Sequence, residues 1–119
     1  MVQALISSLR AESGRCRSAA SVLFKPMHIG VLTVIIEIPE SNSLKDKRQV
    51  LRSLLETMRN KFNVSAAEVG ENDTWRRAEI GIACIGNSES FVNSILNKTL
   101  EHIERNPRVE ILGTEMEML

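Results

Sequence analysis

The sequence has 119 residues, 43% hydrophobic and 25% charged, with a formal net charge of zero. That length gives one core and excludes two ordinary domains; the balance excludes a disordered or fibrous chain and a protein held to nucleic acid by bulk charge. Three Phe, one Trp and no Tyr leave little material for a base-stacking platform, and no apolar run approaches the roughly eighteen residues of a membrane helix.

Residues 1–26, "MVQALISSLRAESGRCRSAASVLFKP", form an Arg- and Ser-rich extension with four basic residues, one acid and no strand pattern. Their weakly amphipathic start resembles an organellar transit peptide but has no secretory apolar stretch. The simpler expectation is a disordered extension or a misassigned start, because Met27 stands immediately before the first strand. Residues 27–119 are then the domain.

"HIGVLTVIIEI", His28 to Ile38, is β-branched and stops at Pro39, so it reads as a strand with apolar residues on both faces. Ser43 stands three residues before Asp46 in an arrangement like a capping box and starts a helix. At 100° per residue Leu44, Leu51, Leu54, Leu55, Met58 and Phe62 fall on one side, with Val50 at the margin. "NVSAAEV" gives a short second strand, Gly70 to Thr74 a turn, and "RRAEIGIACIG" a third strand with Ala78, Ile80, Ile82 and Cys84 inward. Asn87 or Ser88 caps a second helix that packs through Phe91, Val92, Ile95, Leu96, Leu100 and Ile103 and ends at Asn106-Pro107. In the last strand, "VEILGTEMEML", side-chain parity switches between Ile111 and Met116, which marks a bulge at Gly113.

The order βαββαβ with right-handed crossovers places the first and third strands at the centre of a four-stranded antiparallel sheet, with both helices on one face. The fold class is α+β, a ferredoxin-like sandwich.

Catalytic chemistry finds little support. His28 and His102 belong to no HExxH, Cys-His or Ser-His-Asp pattern, and no CxxC and no glycine-rich phosphate loop exists. Cys84, in an apolar strand, reads as a reduced core thiol, which suits a cytoplasmic protein. Glu68, Glu71 and Asp73 around the hairpin read as a solvated turn. The expectation is a protein that is not an enzyme, with no cofactor and no metal site.

The first helix is different. "SLKDKRQVLRSLLETMRNKF" carries six basic residues against two acids, and Arg48, Arg52 and Arg59 fall within about 40° of one another with Lys45 beside them. Such a ridge can meet successive phosphates, and it can equally be a solvated face whose aliphatic stems cover the core. On the sheet face opposite the helices, Ile29, Val31, Thr33 and Ile35 lie beside Gly81, Ala83 and Ile85. RNA-recognition domains of this topology put aromatics there, whereas an aliphatic face suits pairing with another chain. Trp75 shares strand parity with that face and stands at its rim.

The stretch "SLKDKRQVLRSLLETMRNKFNVSAAEVGENDTWRRAEIGIACI", together with "IGVL", resembles the YlxP-like family, small bacterial proteins grouped as a domain of unknown function. The resemblance runs from Met27 to about Met118, and Lys45, Lys47, Arg48, Trp75 and Arg77 occupy its motif positions. It implies a ferredoxin-like fold, a bacterial cytoplasmic setting and a link to translation initiation and small-subunit maturation, with no catalytic residue to carry over.

Two expectations follow. One is an accessory protein associated with ribosomal RNA or the small ribosomal subunit, binding RNA through Lys45, Arg48, Arg52 and Arg59, with the motif cations Lys47 and Arg77 added to the set. The alternative is a homodimeric interaction module without nucleic acid, paired through Ile29, Val31, Ile35 and Ile85 with Trp75 at the edge.

Overall fold

Among the described residues, alternation of apolar side chains along four strands builds one antiparallel sheet with two helices packed on one face. A computed structural model describes residues 27–71 and 74–119; the expectations for the extension and for Asp73 lie outside the described residues. The elements are β1 (His28–Glu37), α1 (Leu44–Lys61), β2 (Ser65–Gly70), β3 (Arg77–Gly86), α2 (Glu89–Glu104) and β4 (Glu110–Met118). The strand order is β2-β3-β1-β4, so β1 and β3 are central. This is the ferredoxin-like α+β fold.

A central strand covered by helices needs apolar residues inward, and β1 supplies Leu32, Val34 and Ile36, all completely buried. Across the register Leu32 meets Ile82 and Val34 meets Ile80, with α1 adding Leu51, Leu54 and Met58 and α2 adding Val92, Leu96 and Ile103 to the same core. Gly30 is small for a reason of packing. A Cβ there would stand 2.7 Å from both Leu96 Cδ1 and Val92 Cγ1, so its absence lets α2 approach β1 closely.

The helix starts follow from side-chain capping. Ser43 Oγ accepts the Asp46 N–H at 3.1 Å while Asp46 Oδ2 accepts the Asn42 N–H at 3.2 Å, and Ser88 Oγ accepts the Phe91 N–H at 3.2 Å. Each satisfies donors that the first turn leaves without an intrahelical partner. Between the pairs Ile36–Ile111 and Ile35–Gly113 the β1–β4 register shifts. The bulge therefore falls beside Gly113, with Leu112 as the extra residue, and re-aims the end of β4.

One expectation of the second helix needs correction. Phe91 is 45% exposed, because it sits in the first turn of α2 beside Gly86, the last residue of β3. Thr99 on the same helix is fully buried; its hydroxyl donates to the Ile95 carbonyl at 2.8 Å, so the buried group is satisfied. Cys84 is a buried free thiol, and burial pushes its pKa up, away from the reactive thiolate.

Candidate nucleic-acid interface

The basic residues of α1 divide into two sets with opposite fates. Lys45, Arg48 and Arg52 are exposed, and among the described residues they take part in no ion pair. Arg59 continues the ridge, but its guanidinium Nη2 donates to the Ala66 carbonyl of β2. This bond places the ridge on the flank of α1 that overhangs the β2 edge of the sheet. One carbonyl of that edge strand is thereby occupied, which blunts a strand otherwise open to pairing.

Lys47 does not belong to the ridge, and its place in the expected RNA-binding set is corrected here. It is 1% exposed, its ammonium lies 2.9 Å from Glu68 Oε2, and it donates to the Glu71 carbonyl. The cause is angular: Lys47 is four residues before Leu51 and seven before Leu54, on the side of the helix that faces the core. Glu68 is accordingly no part of a solvated turn. Its strand parity follows the buried Ala66 and aims it inward, toward α1.

The hairpin is held against the start of α1 by further bonds. Glu71 adopts φ 61°, a left-handed conformation uncommon outside glycine; its carbonyl accepts the Thr74 N–H at 3.2 Å and its carboxylate accepts the Thr74 hydroxyl at 2.8 Å. Arg76 Nε donates to the Ser41 carbonyl at 3.0 Å, and the Ile38 N–H donates to the Arg76 carbonyl at 2.6 Å. Sequence reasoning missed Arg76 as a tether. The available signal was its parity: one residue before Arg77, it falls on the helix side.

Arg77 itself lies opposite Glu37 at the other face of the sheet, so the fold does not bring it to the α1 ridge. Trp75 is 56% exposed. The open face carries Ile29, Val31, Thr33 and Ile35 half-buried along β1 and Ile85 exposed on β3. A shallow hollow of about 250 Å³ opens on it between Val31, Ala67, Val69, Gly81 and Ala83. Phosphate has no place at the α1 N-terminus, where a polar hollow is lined by Glu40, Ser41, Asp46, Gln49 and Arg108; Asp46 already complements the positive end of the helix dipole.

His102 is half-buried on α2. Its ring meets that of Phe62 edge-on at 5.8 Å, and its pKa is lowered by burial first, then by the charges of Lys61 and Arg105. Among the described residues no helix is long and apolar enough to cross a membrane.

The family described as "Protein of unknown function (DUF503)" matches residues 29–116. The "Uncharacterized protein YlxP" of Bacillus subtilis (strain 168) is 40% identical over 80 residues, covering 67% of this chain and 87% of that protein. Among solved structures, the de novo designed protein Foldit4 aligns with a TM-score of 0.47 and 13% identity, over 77% of this chain and 96% of that one.

Proposed function

On the premise that this chain belongs to the DUF503 family of proteins of unknown function, we propose that it is a non-catalytic accessory protein that associates with RNA in the setting of the bacterial cytoplasmic ribosome or its maturation. The observation that carries the reading is the exposed row Lys45, Arg48 and Arg52 on one flank of α1, extended by Arg59. Cations about one helical turn apart can track successive phosphates, positioning the protein without reading sequence. Ribosomal RNA or the small subunit is the partner implied by the family resemblance.

Neutralising three to four phosphates gives a log-log salt slope of about −2 to −3 on single strands. Binding of the purified chain to ribosomal RNA, measured at two salt concentrations, should show this slope. The double substitution Arg48→Glu/Arg52→Glu should abolish it while the fold survives, since both side chains are exposed. Salt-insensitive binding, or binding unchanged in that variant, would sink the proposal.

A second reading, a protein-interaction module, rests on a different surface. Of the large exposed hydrophobics, Val69 lines the hollow on the open sheet face and Ile85 pairs with Ile29 on it. Its simplest form is a homodimer through Ile29, Val31, Ile35 and Ile85 with Trp75 at the edge. Sedimentation of the full chain at micromolar concentration tests it, and a monomer unaltered by Ile35→Glu counts against the dimer.

A further inference from the structure

The strand registers add to the open face a feature that aliphatic patterning alone does not reveal. Glu115 lies opposite Thr33 and Glu117 opposite Val31, while Glu79 lies opposite Ile35 and Glu37 opposite both Arg77 and Glu110. Side chains of paired residues project to the same face. Five glutamates therefore share this face with the apolar strip, and among the described residues Arg77 is the one base that the registers pair with them. The acids stand mainly along β4 and at the Glu37 end, and the apolar hollow with Gly81 and Ala83 at its floor lies toward β2. Gly81 keeps that floor low: a Cβ there would come within 3.0 Å of Val69 Cγ1.

Among the described residues, a second copy laid on this face would bring its Glu37, Glu79, Glu110 and Glu115 against the same acids with only one more paired arginine. A segment with apolar residues on one side and lysines or arginines on the other offers complementary charge instead. Resting on the reading of this face as an interaction surface, we propose that its occupant is a basic amphipathic helix of a protein partner. Its apolar side fills the hollow between Val31, Val69 and Ala83, its cations meet Glu79 and Glu115, and Trp75 closes over one end. Strands of nine and ten residues give the face a length of about 30 Å, which a helix of about eighteen residues spans.

The chain's single tryptophan makes the test direct. Nuclease-treated full-length protein is titrated with a synthetic helical peptide of leucine and lysine, about eighteen residues long, and with a counterpart carrying glutamate for lysine. Saturable binding of the basic peptide with a blue shift of Trp75 emission is expected, with no response to the acidic one. Glu79→Lys/Glu115→Lys should weaken binding about tenfold, and Arg48→Glu/Arg52→Glu should leave it unchanged. Thermal melts confirm that both variants are folded. A sedimenting dimer that the basic peptide neither binds nor dissociates overturns the basic occupant and leaves the interaction surface standing. A monomer that binds neither peptide overturns both.

Discussion

The ammonium of Lys47 sits 2.9 Å from Oε2 of Glu68, joining the first turn of α1 to β2 beneath the surface. The same ammonium donates to the Glu71 carbonyl, so one side chain ties the helix start to both the strand and the turn that follows it. Removing one partner of such a pair leaves the other charge desolvated, which costs about 3–5 kcal/mol in fully buried cases. Glu68 retains 23% exposure, which puts Lys47→Ala at about 3 kcal/mol by urea denaturation. Replacing both residues by methionine should recover most of that loss, because two apolar side chains of similar volume leave no orphaned charge.

Gly30 and Gly113 make a paired test of packing. An added methyl at Gly30 meets Leu96 and Val92 at 2.7 Å, whereas at Gly113 nothing lies within 4 Å. Gly30→Ala should therefore lower stability by about 1–3 kcal/mol through overpacking. Gly113→Ala should stay within about 0.5 kcal/mol of the parent. Equal losses in the two denaturation midpoints would contradict the close approach of α2 to β1.

His102 predicts a pH dependence with a definite sign. Burial and the charges of Lys61 and Arg105 hold its pKa below the ordinary value of 6.5, so as pH falls the unfolded chain takes up the proton first. The contribution of His102 is present in full above about pH 6.5 and declines as pH drops through that value toward the folded pKa. Thermal stability measured between pH 7.5 and 5 should fall less steeply in His102→Gln than in the parent. A parallel fall in both would show that other groups govern the acid limb.

Arg59 and Arg52 separate structure from surface on the same ridge. Arg59→Ala breaks the hydrogen bond to the Ala66 carbonyl and should cost about 1 kcal/mol, a typical net value for one hydrogen bond. Arg52→Ala removes an exposed side chain and should cost less than about 0.5 kcal/mol. In RNA binding the two should rank alike, each lowering the salt slope by about 0.7 on single strands.

The order of elements, the central place of β1 and β3, the capping at Ser43 and the bulge beside Gly113 were all legible in the chain. They depend on local rules: strand parity, helical spacing and the donors that a helix start leaves open. Tertiary structure decided which charges remain in water. Lys47 has the chemistry of the ridge and the angle of the core, and the inward side of β2 supplies Glu68 at the distance that makes its burial possible. The glutamates of the open face likewise came together only through register, because Glu79 and Glu115 are distant in sequence and gathered by pairing with β1. Side-chain type and spacing say what a residue can bind; the partner that reaches it across the fold says whether it is free to.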